Sequence, residues 1–207
     1  MKIKKIFPFL LALIIFIISN FIQRGYSSDK KKAEDRIAQI EKDFTAFLQY
    51  NMLGATNYNF SQVHLNAVIE STVGGYTEAR NIFMSEVTDQ MFRALNSLDE
   101  AAKSISYSSP DSSTAIISDM KQASEEGLFE SFYQNFMLAV QRTQSLQKKI
   151  DGKIESLGNE KIALKRKVSQ ISSNESNLLN FTIAINFLIL LFDHIEKTAK
   201  KVQTNKA

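Results

Sequence analysis

Apolar side chains occur along this chain in two unbroken blocks and, between the blocks, in stripes with a helical period. The first block, Ile6 to Ile22, carries no charged residue and follows Lys2, Lys4 and Lys5. At a rise of about 1.5 Å per residue it spans about 25 Å, a little less than a bilayer's ~30 Å hydrocarbon core, and it reads as a membrane-inserting helix. The best signal-peptidase site would follow Ser27, with Gly25 two residues before it, but Gln23 and Arg24 sit awkwardly inside the recognition stretch, which favours a retained anchor. The second block, Leu178 to Phe192, spans only about 22 Å and contains Asn180, Thr182 and Asn186. It reads as a second membrane segment, tilted or paired with the first, or as a buried helix end.

Between the blocks the apolar spacing defines four helical segments. In the first, Ala33, Ile37, Ile40, Phe44 and Phe47 alternate steps of four and three, and the pattern fades over residues 50–59, which read as a loop. In the second, Ile69, Val73, Tyr76, Phe83, Val87, Met91, Ala94, Leu98 and Ile105 form the seam, with Arg80 as its one polar occupant. Adjacent Gly74 and Gly75 predict a kink inside it. Residues 106–113 read as a loop, because Pro110 disfavours helix at Ser109 and Asp111 to Ser113 offer N-cap oxygens. The third segment carries Ile117, Met120, Leu128, Phe132, Phe136, Ala139, Leu146 and Ile150.

The fourth is the most regular: Ile150, Leu157, Leu164, Ile171, Leu178, Ile185 and Phe192 recur at every seventh position and form the candidate packing or interaction stripe. Gly152 and Gly158 within IDGKIESLGNE predict a turn over 151–159 between the third and fourth helices. The predicted fold is all-α, a membrane-anchored antiparallel bundle of about four long helices with coiled-coil character. A basic N-terminus, 1–5, and the anchor, 6–22, precede a bundle over 23–177, a membrane segment or buried helix end over 178–192 and a basic tail over 193–207.

Composition narrows the chemistry. Seven Gly and two Pro in 207 residues are too few for a turn-rich β or doubly wound fold. No Cys excludes disulfides, thiol catalysis and zinc ribbons, and His64 and His194 are the only imidazoles. Residues three before them are Ser61 and Leu191, not the Glu of di-iron bundles. His64 reads as a solvated helix-start residue and His194 as the polar end of an apolar run. No GxGxxG, GK[ST] loop, HExxH or GxSxG occurs. The expectation is a protein that is not an enzyme and binds no cofactor or metal.

The net charge of +3 is too small to argue for nucleic acid, and it resolves into basic ends around a slightly acidic middle. That asymmetry predicts both termini in the cytoplasm with the bulk of the chain extracytoplasmic, although Lys30, Lys31, Lys32 and Arg36 run against it among Asp29, Glu34 and Asp35. Phe129, Phe132, Tyr133 and Phe136 crowd one stretch after Gly127, either as core or as a candidate patch for a partner helix.

The order of anchor, long helical region, second apolar segment and tail resembles the four-helix-bundle sensory module of bacterial chemoreceptors, which implies small-ligand binding at a bundle interface. Locally, Thr72-Val73-Gly74-Gly75-Tyr76 followed by Glu86-Val87-Thr88 is similar to a stretch of LemA family proteins, which are anchored helical bundles. The expected function is a non-enzymatic interaction or assembly subunit of a bacterial envelope complex in the inner membrane. Its expected partners are the lipid bilayer and other envelope proteins, copies of itself included. A ligand-sensing bundle without its own output domain is the alternative, and a membrane-perturbing helical protein stands third.

Overall fold

The computed structural model describes residues 3–107 and 114–204, with side chains over 7–107 and 114–199. Among the described residues the chain is all-α. Helix α1 runs Ile3–Val73, α2 Thr77–Ser104, α3 Thr114–Glu125 and α4 Phe129–Thr204. The chain divides into two compact units, one of residues 1–37 with 161–207 and one of residues 38–160, and both long helices contribute to each.

Three helices stop in the same way. Gly75 takes φ +75°, the Tyr76 amide bonds the Ser71 carbonyl at 2.8 Å, and the Gly75 amide bonds that of Thr72 at 3.2 Å. This is a Schellman closure, in which one left-handed residue lets two amides satisfy the last carbonyls of the helix. Gly127, at φ +69°, ends α3 through Leu128 to Ala123 at 2.9 Å and Gly127 to Ser124 at 3.2 Å. Ser106, at φ 56°, ends α2 through Tyr107 to Ala102 and Ser106 to Lys103, both at 2.9 Å.

In the unit of residues 38–160, α2 runs antiparallel to α1. His64 Nδ1 lies 3.0 Å from Glu86 Oε2, and Gly54 sits against Leu98, where a Cβ would come within 2.9 Å of Leu98 Cγ. Gly54 therefore sets how closely the two helices approach. The first part of α4 runs beside α2 in the same direction: Arg80 donates to the Gly127 carbonyl at 3.0 Å, and Thr143 Oγ1 meets Met91 Sδ at 3.9 Å. Short α3 closes the core with Met120 and Ala123. At its centre Phe132 and Phe136 stack with ring centroids 6.5 Å apart among Val68, Met84, Met91 and Leu95. In the other unit the opening stretch of α1 and the closing stretch of α4 pair antiparallel.

Several sequence expectations are corrected here. Residues 50–59 are helical, because the polar residues that blur the stripe alternate with buried Gly54 and Ser61, which keep facing α2 and α4. The expected kink at Gly74 and Gly75 is a full reversal between α1 and α2, which leaves Ile69, Val73 and Tyr76 exposed rather than in a seam. Residues 151–159 are helical as well, so the third and fourth predicted helices are one, α4. The residues around Gly152 and Gly158 keep an unbroken seam, and its burial outweighs their propensity cost of about 1 kcal/mol each. The reversal expected there lies instead at Gly127, after a separate α3. Residues 106–107 lie outside the helix as expected, Ile105 is the C-cap of α2 rather than part of its last turn, and 108–113 lie outside the described residues.

The two kinds of glycine should respond oppositely to alanine. Gly75→Ala forces a Cβ into the left-handed region and should destabilise the chain by about 1 kcal/mol, whereas Gly152→Ala, in open space on a helix, should stabilise it by up to about 1 kcal/mol. Chemical denaturation of the two variants measures both signs.

Candidate functional site

In the unit of residues 1–37 with 161–207, the two helices meet through small and polar residues together with half-buried Ile15, Leu178, Ile185 and Ile189. Ser19 and Thr182 share a hydroxyl hydrogen bond of 2.7 Å, with Thr182 Oγ1 also 2.8 Å from the Leu178 carbonyl. Farther along, Lys30 Nζ lies 3.8 Å from Glu175 Oε2, and Ala33 and Ile171 are buried. Antiparallel helices meeting at Ser19 and Thr182 place Ile6 to Ile22 alongside Leu178 to Phe192.

The large apolar chains of both blocks point the other way: Phe9 is 67% exposed, Phe21 80%, Phe187 63% and Phe192 69%. Both helices carry a stretch long and apolar enough to cross a membrane, and little of either stretch is buried. Small residues let the backbones approach and hydroxyls bond across the pair, which is how helices associate where apolar burial gives no driving force. Asn186 Oδ1 is shielded within this unit and accepts no hydrogen bond.

In the other unit a cleft of about 600 Å³ opens between α1 and α4. Gly54, Ala55, Tyr58 and Leu98 make its less polar side, and Asn51, Thr143, Gln144, Gln147, Lys148 and Asp151 its polar rim. It exists because Gly54 and Ala55 supply almost no side-chain volume there. Gln147 Nε2 donates to Asp151 Oδ1 at 2.9 Å, which fixes one charge of the rim, and Lys148 supplies the opposite charge beside it. Such a rim offers hydrogen bonds of both polarities to a small polar molecule.

Burial raises the pKa of Asp99 on α2 above the usual range, against the opposing pull of Arg142 and Lys103. Its Oδ1 is shielded and accepts no hydrogen bond. Lys103 is shifted upward by its hydrogen bond and charge interaction with Glu100.

Of the predicted stripe, Ile150 and Leu157 are buried in the bundle unit, and Ile171 is buried between the paired helices, with Leu164, Leu178 and Ile185 half-buried. Phe192 departs from it and faces outward, because the seam at that end passes through Ile189 and half-buried Asp193, whose carboxylate pairs with Lys197. The candidate partner patch is also corrected. Phe132 and Phe136 are fully buried and Phe129 packs against them, which leaves Tyr133, at 38% exposure, as the only exposed ring of the four. His64 is no helix-start residue: it sits inside α1, bonded to Glu86 and stacked on Phe83 with centroids 6.5 Å apart. His194 is exposed.

Sequence reasoning missed the hydroxyl pair. Thr182 reads as an interruption of the stripe, yet its step of four from Leu178 and three to Ile185 was the signal. No family model matches the chain, and no curated protein or solved structure is significantly similar to it.

Two predictions test these sites. In a chain without Cys, Ser19→Cys combined with Thr182→Cys should form an intramolecular disulfide on oxidation, seen as a gel-mobility shift that reductant reverses, because the hydroxyl contact puts the two Cβ atoms within bridging reach. For Asp99 the folded pKa lies above the unfolded one, so its contribution to stability is complete at pH below the unfolded value and is lost as pH rises through the folded value. Asp99→Asn should therefore raise the Tm at pH 7, with the gain disappearing as the pH is lowered to about 4.

Proposed function

We propose that this chain is a non-enzymatic, membrane-anchored interaction subunit whose two apolar blocks cross a bilayer side by side. The observation that carries the reading is the inverted packing of the paired blocks, with Ser19 and Thr182 bonded inside and Phe, Leu and Ile side chains turned outward. In water this arrangement would leave a large apolar surface hydrated. In hydrocarbon it satisfies the Ser19 and Thr182 hydroxyls within the pair and offers lipid the surface it solvates.

Antiparallel pairing puts the start of α1 and the end of α4 on the same side of the pair, and the sequence at both ends is rich in Lys. Basic ends favour the cytoplasm, so residues 38–160 stand on the outer side of a bacterial inner membrane, as part of an envelope assembly. Lys30, which runs against this bias, is paired with Glu175.

A second reading is favoured by the cleft. A bundle with an open, polar-rimmed hollow of about 600 Å³ is the right size for a small metabolite, and the chain would then act as a ligand-sensing bundle that passes its signal to a partner. Lys148 and Asp151 on one rim favour a ligand carrying both charges.

Single Cys residues at Ser28 and Thr204 test the membrane reading. With a membrane-impermeant maleimide on intact cells, Ser28→Cys should label and Thr204→Cys should label only after permeabilisation; labelling of both from outside would reject the side-by-side crossing. The cleft reading expects a rise in Tm with a zwitterionic small molecule that Asp151→Asn abolishes.

A further inference from the structure

Residues 44–69 of α1 contain no Asp, Glu, Lys or Arg, although such residues make up 23% of the chain and Asp43 and Glu70 bound the stretch. All of these residues are helical, and the inner face holds Phe47, Gly54, Ser61, Leu65 and Val68 against the bundle. The opposite face is apolar where water should favour charge: Leu48 is 63% exposed, Met52 68%, Phe60 52% and Val63 63%. Steps of four, eight and three keep these four on one side, with Ala55, Thr56 and Asn59 between them. Together they expose roughly 400 Å² of apolar surface, the size of the largest patch on a typical monomer, which is often functional.

We propose that this face of α1 pairs with the same face of a second copy of the chain. A twofold contact presses a patch against its own image, so a charge in it meets its own copy or must find an opposite charge elsewhere in the patch. A face with no charge meets that condition at every register. The exposed positions on the neighbouring helices do not: Asp89, Arg93 and Glu100 stand on α2, and Lys148, Lys149 and Glu155 on α4.

The same neutrality argues against other occupants. An interfacial lipid-binding helix carries Lys or Arg beside its apolar stripe, and none occurs here. A charged partner would find nothing complementary. Two copies closing over the patch bury about twice its area, a small interface by the standards of soluble dimers. The inference rests on the proposed membrane attachment, because confinement to one bilayer raises the effective concentration of one copy near another.

The full chain has no Cys, so single substitutions report contacts without background. Met52→Cys, Val63→Cys and, as control, Lys149→Cys are expressed in membranes and treated with a short bismaleimide. A covalent species of twice the 23.4 kDa chain mass from Met52→Cys or Val63→Cys, and not from Lys149→Cys, is the expected result. Equal yield from all three, no product, or a product of another mass that contains a different protein overturns the proposal.

Single-molecule photobleaching of the unmodified, labelled chain in proteoliposomes should give two steps, and Met52→Glu with Val63→Glu should leave one at unchanged helicity. A monomeric unmodified chain, or a double variant that stays dimeric, also overturns it. Alkaline extraction of the same membranes separates the two readings: a chain that stays in the pellet but never cross-links defeats only the self-pairing, and a chain released into the supernatant defeats the membrane attachment.

Discussion

The hydroxyl contact between Ser19 and Thr182 governs how the two apolar blocks are arranged. A bonded pair of small side chains between two helices fixes their separation, their register and the side each presents to the other. Once that seam is set, Ile15, Leu178, Ile185 and Ile189 share it half-buried, and the Phe side chains of residues 7–22 and 178–192 are left on the outer surface. Farther from the blocks the same pairing continues through Ala33 and Ile171, with Lys30 and Glu175 meeting across it. A regular heptad stripe makes such pairing possible, but its polar members decide which way the helices face.

The bundle unit depends on where its helices stop. Three left-handed closures, at Gly75, Ser106 and Gly127, turn α1 into α2, end α2 and turn α3 into α4. Arg80 links two of them, since it stands one turn into α2 and donates to the carbonyl of Gly127. The core around Phe132 and Phe136 therefore forms between elements whose ends are tied by hydrogen bonds rather than by packing alone.

The helical class, the stripes that bury Ile40, Phe47, Val87, Met91 and Leu98, and the heptads of α4 were legible in the sequence because they follow from side-chain period alone. The turns were less so. A glycine in sequence signals either a permitted left-handed residue or a merely tolerated helical one, and only the carbonyls and amides around it decide. Gly75 and Gly127 close helices, while Gly152 and Gly158 lie within one whose seam continues past them. The phenylalanines after Gly127 show the same limit from the other side. Their spacing specifies a broad apolar face, and only the arrival of α2 and α3 makes it a core. The cleft was not legible at all, since it is made by the absence of volume at Gly54 and Ala55 opposite residues nearly a hundred positions away.

The contrast between the two units bears most directly on function. In residues 38–160 the buried positions are mostly apolar, Phe132, Phe136, Met84, Met91, Leu95 and Val87 among them, with a few Ser and Thr such as Ser61, Thr88 and Thr143, and the exposed ones are largely charged or polar, as expected for a protein in water. In the unit that contains the apolar blocks, the same two helices bury Thr182, Ala33 and Ile171 and expose Phe7, Phe16, Phe21, Leu190 and Phe192. Helix propensity and heptad spacing are similar in both units, so neither explains the inversion. The proposed passage of the blocks from water into hydrocarbon accounts for it, because the driving force for burying large apolar chains exists only against water. Residues 44–69 of α1 follow neither pattern, being as free of charge as the blocks yet part of a unit with a conventional core. A surface of that kind fits another protein surface better than either water or hydrocarbon, because it offers amide and hydroxyl groups among its apolar side chains and no charge that would have to be desolvated.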